Sequence, residues 1–262
     1  MELKLLSEDE KKNELAFLLQ NSTPAFANAL RRIMLEEVPV MAIEDVEFRR
    51  NSSALYDEMV ALRLGLLPLS TDLKSYVLPI KCKCNGEGCS KCQLRMMLKI
   101  KGPAMVYASD IKTKDPKIKP VYPKMPIVKL LKGQKIELEA IAVLGEGKIH
   151  SKWSPGHVFY AYKPILNTKV LESSENAVQL CSKHSQDSKN KRLIEQHLLD
   201  CSRCATALDA QGVTSGASNT DFVFYMESWG QLSCKEIIET ALDIFEEKLD
   251  SFQEELKKKE EK

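Results

Sequence analysis

Near the C-terminus, Ile237, Ala241, Ile244, Phe245, Leu249, Phe252 and Leu256 recur at three- and four-residue steps, which is one face of an α-helix several turns long. Ser233, with Glu236 three residues later, makes a capping box that opens this helix, and the charged run Lys257 to Lys262 closes it as a solvated end. A single apolar stripe has to be covered. On pattern alone this is the core side of a globular domain. The helix is nevertheless long for a domain of this size, so part of the stripe is expected to pack on a second chain.

Glu14 to Gln20 reads as a short strand, and Thr23 and Pro24 then stand as N-cap and first residue of another helix. Phe26, Ala27, Leu30, Ile33 and Met34 form its apolar face, with Arg31 and Arg32 outside it, until Pro39 stops the helix. From about Phe48 to Leu144 the pattern changes to short apolar runs broken by Gly and Pro, the mark of a β-rich block. Residues 172–220 are polar, carry three cysteines and show little sign of an apolar core. Phe222 to Ser228 is a further strand. No tandem repeat is present. The fold class expected is α+β: antiparallel strands and two amphipathic helices, an inserted β-rich block at 48–144, and a small cysteine-containing insert at 172–220.

The 262 residues suffice for one or two domains with a real core. Lys and Arg number 38 against 37 Asp and Glu, a net charge of +1, so the chain as a whole lacks the electrostatic footprint of a polyanion binder. No run reaches the roughly 18 apolar residues of a membrane span, and the N-terminus has no secretory pattern, which leads us to expect a cytoplasmic protein with no membrane partner. We find no Ser/His/Asp arrangement, phosphate loop or carboxylate pair, and the histidines at 150, 157, 184 and 197 are too scattered to build a catalytic site on.

Eight cysteines without a signal peptide point to metal binding, although hyperthermophilic archaea also make cytosolic disulfides. Cys82, Cys84, Cys89 and Cys92 have the form C-x-C-x4-C-x2-C. Two close pairs joined by a turn at Gly86 and Gly88 can set four thiolates at the corners of a tetrahedron. Four protein ligands leave no open position, so a zinc ion there would be structural; two disulfides are the competing reading. Cys181, Cys201 and Cys204, with His184 and His197 interleaved, are a weaker signal. The iron–sulfur run C-x2-C-x2-C fails at Ala207, and a metal could use Cys181, His184, Cys201 and Cys204. Cys234, alone at a helix start, reads as a packed thiol.

Four stretches carry a resemblance. They are Asn28-Ala29-Leu30-Arg31-Arg32-Ile33-Met34-Leu35 followed by Val38-Pro39, the run Asp57 to Leu69, Trp153-Ser154-Pro155, and Phe224 to Gly230. Together they resemble the α-like family of RNA polymerase subunits, its archaeal D-type members in particular, and are similar to the N-terminal part of bacterial α. The resemblance implies a non-catalytic assembly subunit of a DNA-directed RNA polymerase. Its discontinuous dimerisation domain, 1–47 with 145–171 and 221–262, would pair with the smaller α-like subunit L. Subunits N and P would dock nearby, the large catalytic subunits would assemble on this platform, and no sequence-specific DNA binding is expected. The interface residues it implies are Phe26, Leu30, Arg31, Arg32, Ile33, Met34, Arg63, Ile237, Phe245 and Leu249. The loop from Cys82 to Cys92 is similar to the zinc loop of the eukaryotic counterpart. Cys181, Cys201 and Cys204 stand where some archaeal members carry a ferredoxin-like iron–sulfur insert, here in degenerate form. Two readings of other classes compete: a free-standing zinc-dependent nucleic-acid binder, which the neutral charge disfavours, and an electron carrier using the second cysteine group, which no flavin or dinucleotide fingerprint supports.

Overall fold

The computed structural model describes residues 1–167, 169–170, 180, 184 and 191–260. Two compact units emerge, one made of Met1–Arg32 and Val158–Glu227, the other of Ile33–His157 and Ser228–Lys262. The architecture is α+β, with antiparallel sheets and five helices among the described residues.

In the first unit, strands β1 (Glu2–Asp9), β2 (Glu14–Gln20), β9 (Gly156–Leu166) and β10 (Thr214–Ser228) form one sheet in the order β1-β2-β10-β9. Its centre is the pairing of β2 with β10, where Phe17 lies opposite Phe224 and the two rings stack with centroids 4.8 Å apart. Leu15 to Leu19 are all buried, so this continuous apolar run is a strand covered on both faces rather than one with a wet side. Helix α3 (Lys191–Asp200) packs on β1 and β2 and is followed by α4 (Ser202–Asp209). Leu180, Ile194, Leu198, Cys204, Leu208 and Val213 make a small core here. The polar stretch therefore does own an apolar centre, which sequence patterning did not reveal, because its members come from two short helices and two residues outside any element, too few in each to show a period.

Helix α1 (Pro24–Glu36) begins as its sequence dictates: Thr23 Oγ1 accepts from the Phe26 N–H at 3.2 Å, and Pro24 fills the first helical position. The boundary between the units falls within it.

The second unit is built on the antiparallel sheet β3-β8-β4-β6, formed by β3 (Val40–Asn51), β4 (Gln93–Lys101), β6 (Lys112–Thr113) and β8 (Lys135–Gly145). Along β8, Ile136, Leu138, Ala140, Ala142 and Leu144 are buried while the residues between them are half-exposed, the two-residue period of a sheet with one dry face. On the wet face Glu137 pairs with Lys99 at 2.9 Å, and Glu139 with Arg95 at 3.1 Å and Arg49 at 3.5 Å. The dry face meets α2 (Asp57–Gly65), through Val60 and Leu64, and a ribbon of β5 (Ala104–Tyr107) with β7 (Pro126–Leu130). Helix α5 (Cys234–Glu260) ends the chain, and its capping box forms as the sequence predicts: the Ser233 N–H donates to Glu236 at 2.8 Å, and the Glu236 N–H to Ser233 Oγ at 3.3 Å. No helix among the described residues is long and apolar enough to cross a membrane.

Candidate metal centres and interface surface

The four-cysteine loop lies between a 3-10 turn, Pro79–Lys81, and the start of β4. Its tight return uses left-handed backbone at Asn85, Gly86 and Gly88, with φ of 52°, 84° and 94°, a region that glycine enters without steric cost. Hydrogen bonds from the Asn85 N–H to the Cys82 carbonyl at 3.0 Å and from the Cys92 N–H to the Cys89 carbonyl at 3.1 Å fold each cysteine pair into a turn. The thiols converge as a result. Sγ separations are 3.3 Å for Cys82 and Cys84, 3.5 Å for Cys82 and Cys89, 3.5 Å for Cys84 and Cys92, and 3.8 Å for Cys89 and Cys92.

A disulfide holds its sulfurs at about 2.0 Å, and all four cysteines are free thiols. A tetrahedral site with metal–sulfur bonds of about 2.3 Å has edges of about 3.8 Å. The observed spacing fits four thiolates around one ion and does not fit two disulfides. Burial pushes the Cys92 thiol up to about 12, while the Cys89 backbone N–H and the Cys82 thiol bring Cys84 down to about 5. Four sulfurs this close cannot all ionise in each other's presence without a cation, so filling the site and deprotonating it are one event. The donor set is soft, closed and without a free corner. Such a site can hold a segment together but offers no place for substrate.

In the first unit, His184, Cys201 and Cys204 bring one ligand atom each within 4.8 Å of one another. Nδ1 of His184 lies 3.2 Å from Sγ of Cys204, and the His184 ring stacks on His197 with centroids 3.9 Å apart. Cys181 lies outside the described residues.

The residues expected at an interface divide by burial. Leu30, Ile33, Met34 and Ile237 are buried within this chain, and Phe26 and Phe245 are half-buried. Arg31 is partly covered and donates to Asn28 Oδ1 through Nε at 3.2 Å and Nη2 at 3.0 Å, whereas Arg32 is exposed. Arg63 is exposed on α2, and its Nη1 donates to the Ile127 carbonyl at 2.8 Å. Towards the C-terminal end of α5 the stripe emerges, with Leu249 54%, Phe252 62% and Leu256 48% exposed. Sequence reasoning missed a second apolar face, Met59, Leu62 and Leu66 with Tyr56, all exposed around α2. The three- and four-residue steps between the first three would have shown it.

The family described as RNA polymerase Rpb3/RpoA insert domain matches residues 44–157, the stretch that contains the four-cysteine loop. DNA-directed RNA polymerase subunit Rpo3 of Methanosarcina acetivorans is 38% identical, over 87% of this chain and 88% of the relative. The Rpo3 subunit of Methanosphaera stadtmanae is 36% identical, over 90% and 92%, and that of Pyrococcus horikoshii 34% identical, over 93% of each. With a third or more of its residues identical to these subunits over nearly their whole length, the chain belongs to the archaeal Rpo3 family, the non-catalytic subunits of that name in DNA-directed RNA polymerase.

Proposed function

We propose that this chain is an assembly platform of an archaeal RNA polymerase, pairing with the smaller α-like subunit L so that subunits N and P and the large catalytic subunits can build on the pair. The observation that carries this reading is α5, whose Leu249, Phe252 and Leu256 continue the buried stripe of Ile237 and Ala241 but lie in solvent. An ordered helix of 27 residues that ends in exposed leucine and phenylalanine is unfinished until something apolar covers it. In this reading the dimerisation domain comprises 1–47, 145–171 and 221–262, and 48–144 is an insert. Arg31, Arg32 and Arg63 supply guanidinium forks for carboxylates and carbonyls of neighbouring subunits.

The ion at Cys82, Cys84, Cys89 and Cys92 is zinc in this reading. Four thiolates in a tetrahedral setting suit it, and it would fasten the loop to the start of β4 without taking part in nucleotidyl transfer. The test is to isolate the chain with its native associates from cell extract and to count them by mass spectrometry. Equimolar recovery with a small α-like chain and the large polymerase subunits is the expected result. A chain recovered alone, or with DNA only, would overturn the platform reading.

A further inference from the structure

The family resemblance brings with it an iron–sulfur cluster in the second cysteine region, and the residues there do not fit one. A four-iron cluster interposes iron ions and bridging sulfides between any two of its thiolates, so its ligands must stand well apart. Here Cys201, Cys204 and His184 present their ligand atoms within 4.8 Å of one another, and Ala207 replaces the third cysteine of the run. The gap between the ligands has the size of one ion.

We propose that His184, Cys201 and Cys204 form a second metal site, a mononuclear one of mixed nitrogen and sulfur donors that takes a single zinc-class divalent cation. In a tetrahedral zinc site with bonds of about 2.3 Å to sulfur and about 2.0 Å to nitrogen, the nitrogen–sulfur edge is about 3.5 Å. The 3.2 Å between His184 Nδ1 and Cys204 Sγ is close to that edge. Cys201 is the N-cap of α4 and Cys204 lies in its first turn, so one short segment of backbone carries both thiols. Cys204 is fully buried among Leu198, Leu208 and Val213, with Cys201 packed against the same group. The His197 ring stacks on that of His184, tilted only 16° from it, which limits how the imidazole can turn. The proposed site consists of the three ligands named, with one corner left to water or a fourth donor.

The ion would give the small core of this region a crosslink joining His184 to the start of α4. The competing account is a hydrogen-bonded histidine and thiol in a metal-free core, and metal content separates the two without reference to polymerase assembly.

The full chain, prepared without a polyhistidine tag, is analysed for bound metals by mass spectrometry in native form and as Cys204→Ser, His184→Ala and His184→Cys, with circular dichroism as a check on folding. The native chain should hold two zinc equivalents, Cys204→Ser and His184→Ala one, and His184→Cys two again. Cys92→Ser, which strikes the other site, should also hold one, so that a failure at the four-cysteine loop is distinguishable from a failure here. Should the variants misfold, titration of the metal-stripped native chain with cobalt decides: saturation at two equivalents, with thiolate charge-transfer absorption for both, is the expected outcome. One equivalent only, unchanged by His184→Ala and Cys204→Ser, would overturn the proposal, as would iron with acid-labile sulfide.

Discussion

Replacing Leu249, Phe252 and Leu256 together by alanine should weaken pairing with the small α-like subunit about a hundredfold while leaving the chain folded. Complete burial of a leucine or phenylalanine side chain is worth about 1.5–3 kcal/mol. These three are 54%, 62% and 48% exposed in the unpaired chain, so about half of that value remains to be gained at each, or about 3 kcal/mol in all. At about 1.4 kcal/mol per decade this is roughly a hundredfold in Kd. Alanine is the best helix former, so α5 survives the change and the loss is one of contact rather than of helix. The assay is calorimetric titration with the purified partner, with helix content followed by circular dichroism. Ile237→Ala is the control: Ile237 is fully buried, so its truncation should cost about 2–5 kcal/mol of folding stability and leave the affinity of the folded fraction unchanged. A triple variant that keeps its helix and binds within threefold of the native chain would refute the placement of the interface on this face.

Stripping metal from the chain with a chelator should lower the melting temperature and raise hydrogen exchange across residues 82–92, with β8 unaffected; Cys92→Ser should reproduce both effects, and an unchanged exchange pattern would show that the loop holds itself without an ion. Asp72 accepts from Lys117 Nζ at 2.7 Å and from Ser75 Oγ at 2.7 Å, and these partners hold its carboxyl well below the ordinary 3.8. A depressed carboxyl stabilises the fold above its unfolded pKa, and that stability is lost as pH falls below about 4 towards the folded value. Asp72→Asn should therefore melt lower than the native chain at pH 7, and the gap should close below about pH 4 in acid unfolding scans. At Gly147 an added Cβ would stand 2.3 Å from the Leu35 carbonyl oxygen, so Gly147→Ala should cost about 1–3 kcal/mol in thermal denaturation because the obstacle is backbone.

What could be read from the sequence was local in origin. The spacing from Cys82 to Cys92 contains its own turns, so four sulfurs meet through backbone hydrogen bonds within a dozen residues, and the caps at Thr23 and Ser233 likewise involve neighbours three residues away. The long stripe on α5 and the family motifs in α1 and α2 were likewise visible without coordinates. Helix α2 was not read as a helix, since only Val60 and Leu64 of its nine residues are buried and its outer face is apolar as well. The core of Leu180, Ile194, Leu198, Leu208 and Val213 stayed hidden in a polar stretch, whereas the meeting of His184 with Cys204, twenty positions apart, had been offered by the sequence as one metal-ligand set among competing readings. The sequence by itself thus determined the caps, the turns, the periodic faces and the four-thiolate loop, all set by contacts within a few residues. Only tertiary structure decided which part of each apolar face is spent inside the chain, as at Ile237, and which stays exposed, as at Phe252, because burial is settled by partners that lie far away in the sequence.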